Sequence, residues 1–350
     1  MDQNARIVPI GDKELEELRR HGFGVAYRML RSVAEAEDVA QEAILRLTRQ
    51  EEQIDEPAAW ITRVATRLSI NVLRSARVRR EAYVGPWLPE PLLEDPAPDP
   101  ARRAELADSL SLALLTLLER LTPVERAAYL LREVFGYEYA EIAPIIERSE
   151  VNSRQLVTRA RKHLEASRPR FDPDEAARDA LLERFLAAAE DGDLEALEEL
   201  LAKDAVLYAD GGGKAMSPRE PLVGAAVIAR FLSGAAQVRR ATGGFEMRRV
   251  TVNGQPGRLL RGPGPQRFGE EEHRAVADVL ELLKAGKLEP DELVAYMTGA
   301  RELPGGQRAD PFGAAGDGEP AVWAVLSADV VDGRIQAVRL HRNPDKLAHL

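Results

Sequence analysis

The stretch from Gly85 to Pro100 constrains this chain most, because it places six prolines in sixteen residues. Proline lacks a backbone N–H and clashes with the preceding turn, so neither a helix nor a central strand survives that density. The 350-residue chain is therefore divided here. At about 150 residues per domain, two or three folded units are expected. A shorter break follows at Arg168-Pro169-Arg170-Phe171-Asp172-Pro173. Two Gly/Pro-rich stretches, Gly254 to Gly269 and Pro304 to Pro320, enclose a helix-like piece.

The first unit, within residues 1–84, reads as all helical from about residue 11. Leu15, Leu18, Phe23, Ala26, Tyr27 and Leu30 recur at helical spacing. Ser32 is placed to cap a helix carrying Val33, Ala36, Ala40, Ala43, Ile44 and Leu47, and Pro57 suits the first turn of the next. After the linker, 85–100, residues 101–168 are again helical. Leu106, Leu110, Leu114, Leu117 and Leu118 mark one helix. Thr122-Pro123-Val124-Glu125 combines a capping hydroxyl, proline at the first helical position and a carboxylate three residues on. Tyr137 to Ile146 and Val151 to Leu164, separated by Glu147-Arg148-Ser149, form a helix-turn-helix pattern. Residues 174–350 are mixed: helices, then strand-like runs with turns at Asn253-Gly254 and Asp332-Gly333, an α+β pattern. The segment at about 258–320 reads as an insertion splitting a hairpin, with amphipathic helices at Val276, Val279, Leu280, Leu283 and from Pro290 to Met297. A flap between its flanking Gly/Pro stretches is the simplest reading.

Composition removes several classes of function. There are no cysteines, so no disulfide framework, thiolate zinc site or cysteine nucleophile is expected. Five scattered histidines offer no metal site, and no catalytic residue or cofactor is assigned. No apolar run of about 18 residues exists to span a membrane. Met1 to Leu18 has no apolar signal-peptide core, so a cytoplasmic location is expected.

The net charge of −10 argues against a chain that coats nucleic acid throughout, yet the arginines are concentrated. Arg63, Arg67, Arg74, Arg77, Arg79 and Arg80 form one set, four of them within Arg74–Arg80 with no acid between. Unmixed guanidinium suits a phosphate backbone, whereas an ordinary solvated helix end is the plainer reading. Val151, Asn152, Ser153, Arg154 and Gln155 open the second helix of the helix-turn-helix, where base edges are read, and Arg159, Arg161 and Lys162 follow to hold phosphates. Asp38, Gln41, Glu42 and Leu45 share a helix face opposite the apolar stripe, a face suited to a basic partner. Asp210-Gly211-Gly212-Gly213-Lys214 lacks P-loop spacing and reads as a tight bend or a close backbone approach.

These pieces together resemble a known family. Ala26-Tyr27-Arg28-Met29-Leu30 through Asp38-Val39-Ala40-Gln41-Glu42-Ala43, with Trp60-Ile61-Thr62-Arg63-Val64-Ala65-Thr66-Arg67-Leu68, resembles sigma region 2. Leu121-Thr122-Pro123-Val124-Glu125-Arg126 through Ala140-Glu141-Ile142-Ala143 resembles sigma region 4. No region 3 lies between them, as in the extracytoplasmic-function (ECF) sigma factors of RNA polymerase. The linker Tyr83-Val84-Gly85-Pro86-Trp87-Leu88-Pro89-Glu90-Pro91-Leu92, the Asp210–Lys214 loop and Asn343-Pro344-Asp345-Lys346-Leu347 resemble the subgroup with a fused SnoaL-like (NTF2-like) domain.

The resemblance implies two all-α sigma domains, a region 2 helical bundle and a region 4 helix-turn-helix, followed by a C-terminal α+β cone-shaped domain. It implies RNA polymerase core and promoter DNA as partners. Asp38, Gln41, Glu42 and Leu45 would meet polymerase. Arg63, Arg67, Asn71, Arg74, Arg77, Arg79 and Arg80 would meet the −10 element, with Asn71 standing where many such factors carry aspartate. The helix from Glu150 to Leu164 would read the −35 element. Trp87, Leu88, Pro89, Glu90, Pro91 and Leu92 would form regulatory contacts with Asp210, Gly211, Gly212, Gly213 and Lys214 and with Asn343, Pro344, Asp345 and Lys346. Under this reading the fused domain modulates the sigma core in place of a separate anti-sigma protein. Three alternatives stand beside it: a small-ligand sensor in the C-terminal domain, a polyketide-cyclase-like enzyme using Asp210, and a plain helix-turn-helix repressor.

Overall fold

The computed structural model describes residues 11–52, 54–81, 83–94, 110–165, 174–242, 245–262, 270–297, 300–302 and 321–350. The chain forms two compact units: Met1–Ala82 with Leu114–Arg168, and Tyr83–Ala113 with Pro169–Leu350. Leu106 lies outside the described residues, and Ser111 interrupts the helix expected there.

The first unit is helical. Helices α1 (Asp12–Leu30), α2 (Val33–Thr48) and α3 (Pro57–Glu81) pack around Leu18, Ala43, Leu47 and Ile61. Ser32 caps α2 by accepting the Glu35 N–H at 3.3 Å, satisfying one of the donors a helix start leaves unpaired. Helix α4 (Leu112–Leu117) straddles the boundary, and from Leu114 the unit continues through a 3-10 turn at Leu118–Arg120, α5 (Pro123–Glu133), α6 (Tyr139–Ile145) and α7 (Glu150–Glu165). Thr122 and Glu125 form the capping box that their spacing predicts. The turn between α6 and α7 has no glycine, and Glu147 takes the left-handed conformation at φ 56°. Two arginines join the helices by neutralising carbonyls at helix ends. Arg126, buried, donates to Met29 O at 2.7 Å and Leu118 O at 3.0 Å. Arg31, the left-handed C-cap of α1, donates to Leu115 O at 3.3 Å.

The second unit is α+β. Helices α8 (Glu175–Asp191) and α9 (Leu194–Leu200) lead into a sheet built from β1 (Leu93–Glu94), β2 (Leu201–Asp210), β3 (Leu222–Val223), β4 (Glu246–Val252), β5 (Gln255–Gly262), β6 (Ala321–Val331) and β7 (Arg334–His341). The strand order is β1-β4-β5-β6-β7-β2-β3, antiparallel except for the β2–β7 pair. Both hairpin turns have two residues at positive φ: Asn253 at 50° and Gly254 at 72°, then Asp332 at 51° and Gly333 at 70°. That geometry matches the twist of the flanking strands. Helix α10 (Ala225–Thr242) crosses one face, and α13 (Pro344–Leu347) ends the chain's last turn.

The sequence places an interruption at about 258–320. Strand β5 instead continues to Gly262 and pairs along its length with β6, so the hairpin is interrupted later. Helices α11 (Glu270–Lys284) and α12 (Pro290–Met297) occupy the inserted stretch. They do not behave as a detached flap. Val279, Leu280, Leu283 and Leu293 are buried in the same core as Phe185, Leu326 and Leu340. Gly234 on α10 admits this packing, since a Cβ there would lie 2.7 Å from Leu293 Cδ2.

Because side chains alternate along a strand, the sheet has two distinct faces. Leu260, Leu326 and Leu340 point to the helices and the large core. Leu259 and Val325 point the other way, packing with Val252, Leu112 and Leu347. Among the described residues no helix is long and apolar enough to cross a membrane.

Removing the capping box should weaken the helical unit. Thr122→Ala is expected to lower its stability by about 1 kcal/mol, with Thr122→Ser close to the parent. Urea unfolding followed by circular dichroism measures the difference.

Candidate DNA-facing helices and the linker clasp

Helix α2 presents Asp38, Gln41 and Leu45 to solvent, Leu45 at 41% exposure. Glu42 is half-buried and ion-paired with Arg46 at 2.7 Å. The opposite stripe, Ala36, Val39, Ala40, Ala43 and Leu47, is buried. The four residues thus share a face that the unit's own core does not use.

On α3, Arg63, Arg67, Asn71 and Arg74 are exposed, spaced three or four residues apart along one side. Arg67 is engaged within the unit: its Nε donates to Ile145 O at 3.1 Å and its Nη2 to Pro144 O at 2.6 Å. These carbonyls lie at the C-terminal end of α6, where the helix dipole favours a cation. Arg77, Arg79 and Arg80 continue α3, and their side chains lie outside the described ones.

On α7, Val151 is 69% exposed, and Arg154, Gln155, Arg159, Arg161 and Lys162 are exposed with Asn152 half-buried. Ser153 departs from the expected reading set. It is fully buried, and its hydroxyl donates to Ser149 O at 3.0 Å, back-bonding within the first turn. Several arginines here already have partners: Arg154 with Glu150 at 3.0 Å, Arg159 with Glu125 at 3.5 Å, Arg161 with Glu133 at 2.6 Å. Arg154 and Arg132 also sit over the Tyr139 ring, at 4.6 and 4.9 Å. Pairs this exposed contribute little to stability and exchange readily for phosphate.

The densest polar arrangement lies in the second unit, where the linker meets the sheet. Asp210, at the end of β2, is fully buried. Its carboxylate accepts the Tyr83 hydroxyl, the Leu88 N–H at 2.8 Å and Lys346 Nζ at 2.7 Å. Lys346 also donates to Leu88 O at 2.5 Å, and its ammonium lies 4.0 Å from the Trp87 ring and 4.8 Å from that of Tyr83. An ammonium between two aromatic faces and a carboxylate is held by charge and ring quadrupole together. Asn343 donates to the Tyr83 hydroxyl at 2.8 Å and caps α13. His341 binds Pro89 O, and His349 binds Pro91 O, each at 2.9 Å. Leu92 and Asn253 exchange two hydrogen bonds at 2.9 Å, after which Leu93–Glu94 adds as strand β1 against β4.

The Gly-rich loop closes the clasp from the side. Gly212 and Gly213 have φ of 59° and 68°. A Cβ on Gly212 would overlap the Asn343 amide, and one on Gly213 would press on Val84 at 3.1 Å. Lys214 pairs with Asp345 across the same loop. Every segment that the sequence marks for this region is therefore in contact: Trp87 to Leu92, Asp210 to Lys214 and Asn343 to Lys346. Sequence reading missed Tyr83, His341, His349 and Asn253. A histidine or asparagine that binds a distant main chain has no local pattern. Tyr83 stood inside the quoted linker motif and was detectable as its only hydroxyl.

Burial sets the protonation of the clasp. It pushes His341 down to about 4 from an ordinary 6.5. The ring is therefore neutral near pH 7, and its Nε2–H donates to Pro89 O. The Tyr83 phenol is pushed up, first by burial and then by the Asp210 charge.

A separate cavity of about 120 Å³ lies on the other face of the sheet, between Phe185, Phe231, Leu280, Leu293, Trp323 and Leu340. Asp210 does not line it. Its carboxylate faces the linker and is saturated by three donors, so it is not poised as a general base for that cavity.

A helical unit with a helix-turn-helix, followed by an α+β unit that packs on the linker segment 83–94, is the architecture of a DNA-directed factor with an added domain. Comparison with known proteins agrees. Residues 15–79 match the family model "Sigma-70 region 2", 111–164 match "Sigma-70, region 4" and 182–289 match "SnoaL-like domain". The ECF RNA polymerase sigma factor SigJ of Mycobacterium tuberculosis is 39% identical over 256 residues, covering 72% of this chain and 81% of the relative. The probable ECF sigma factor SigI of the same species is 37% identical over 52% of this chain and 64% of the relative. The crystal structure of SigJ superposes with a TM-score of 0.67 at 30% identity, covering 97% of this chain and 98% of that one. The chain belongs to the ECF RNA polymerase sigma factors, transcription initiation factors, and carries a C-terminal SnoaL-like domain.

Acid should loosen the clasp through His341. Above pH 6.5 the residue is neutral in both folded and unfolded chains. Between 6.5 and about 4 the unfolded chain binds a proton that the fold does not, so stability rises with pH across this window and is lost on acidification. This residue alone should remove on the order of 3 kcal/mol between pH 7 and pH 4. His341→Gln keeps a donor for Pro89 but does not titrate. Its stability should fall less steeply over that range, as measured by denaturant midpoints at each pH.

Proposed function

We propose that the SnoaL-like domain controls promoter output by holding the segment that joins the two DNA-reading domains. Sigma region 2 and region 4 bind separate promoter elements on one polymerase, so the joining segment sets their effective concentration for each other. Twelve residues, 83 to 94, have a contour of about 40 Å when extended. Held at both ends and along their length, they lose that freedom. The observation that supports the reading best is the Asp210 carboxylate, which accepts from linker and C-terminal tail at once.

Within this scheme Asp38, Gln41, Glu42 and Leu45 face polymerase. Arg63, Arg67, Asn71, Arg74, Arg77, Arg79 and Arg80 serve the −10 element. Val151, Asn152, Arg154 and Gln155 read the −35 element, with Arg159, Arg161 and Lys162 on phosphates and Ser153 setting the helix start. Arg67 must leave the α6 carbonyls before it reaches DNA, so that contact favours the polymerase-free state.

The test uses the full chain with RNA polymerase core. Asp210→Asn and Gly212→Ala should each raise chymotrypsin cleavage at Trp87 and change run-off transcript yield several-fold, while core pull-down stays at the parent level. Unchanged transcript yield with an opened linker would refute the regulatory role. Lost core binding would instead point to a misfolded helical unit. In gel shifts, Arg154→Ala should weaken −35 binding by roughly tenfold, the 1–3 kcal/mol of a base-edge contact.

A further inference from the structure

The cavity of the SnoaL-like domain carries an uncompensated positive charge. Arg342 follows β7 and lines it. Its Nη1 donates to Met216 O at 2.8 Å, and its guanidinium lies 3.7 Å from the Trp323 ring centre. Its Nε is buried with no acceptor. Among the described residues, no carboxylate pairs with it. Burial without an anion pushes this guanidinium down to about 9, well below its ordinary range.

Arg342 is half-buried as a whole with its Nε enclosed, and two more deeply buried arginines of this domain are matched by carboxylates. Arg258 is paired with Asp179 and Glu183, and Arg339 with Asp329. The cavity's other charges, Glu190 and Arg239, pair with each other. That leaves the lining one positive charge in excess. The rest of the wall is apolar: Phe185, Phe231, Leu280, Leu293 and Leu340 among others. At about 10–15 Å³ for each water-sized group, the space holds roughly eight to twelve such groups.

We propose that this cavity binds an apolar monocarboxylate, its carboxylate on the Arg342 guanidinium and its chain or ring against the Phe231, Leu280 and Leu293 wall. Helices α11 and α12 supply Leu280 and Leu293, so the inserted stretch completes the site rather than decorating the domain. A neutral molecule of the same shape would bury the same surface but leave the guanidinium unmatched. Preference for the acid over the alcohol is therefore the signature of this site.

Isothermal titration of the full chain with octanoate and with 1-octanol tests it. Octanoate should bind at least tenfold more tightly than 1-octanol. Arg342→Gln should erase that preference while keeping 1-octanol binding, and Ala235→Phe, which fills the space from α10, should abolish both. No binding of octanoate, equal binding of acid and alcohol to the parent, a preference that survives Arg342→Gln, or binding that survives Ala235→Phe would each overturn the proposal. The comparison on the parent protein decides the matter even if a variant does not fold.

Discussion

The buried carboxylate of Asp210 is the constraint on which the second unit depends. An ionised carboxylate removed from water is costly unless it is fully hydrogen-bonded and paired. Here the donors come from two segments far from β2 in sequence: the linker, through Tyr83 and Leu88, and the C-terminal tail, through Lys346. The described part of the linker, 83–94, thereby becomes part of a folded domain, although Pro86, Pro89 and Pro91 leave it no regular structure before Leu93. Proline also helps, because a chain with few accessible conformations loses less entropy when it is fixed.

Local chemistry made much of the architecture legible. Ser32, Thr122 and Asp193 cap the helices that their positions announce, and Gly192 ends α8 in the left-handed conformation. Asn253-Gly254 and Asp332-Gly333 make the turns that such pairs favour. Each of these signals spans only a few residues, within reach of pattern reading. The linker, loop and tail segments were legible as a group only through resemblance to the ECF family.

What escaped was long-range or orientational. Ser153 sits at a position where helix-turn-helix proteins read bases, yet its side chain is buried and turns back to Ser149 O. The helix-turn-helix has no glycine at its turn, and Glu147 takes the left-handed conformation there instead. The inserted helices looked like a flap because their flanks are rich in glycine and proline, but their apolar stripes found the open end of the main core. Arg67 looked like a free cation, and nothing near it in sequence says that its partners are carbonyls nearly eighty residues away.

The two faces of β7 bring these features together. His341 and Asn343 turn toward the linker, while Leu340 and Arg342 turn toward the cavity. The backbone N–H groups of Arg342 and Asn343 both donate to Asp210 O at 2.8 Å, tying the alternation to the strand that carries the clasp carboxylate. The interior of the domain and the tether between its DNA readers are thus separated by the thickness of one strand. Under the proposed role, any factor by which a molecule in the cavity changed the hold on the linker would return, unchanged, as a factor in that molecule's affinity.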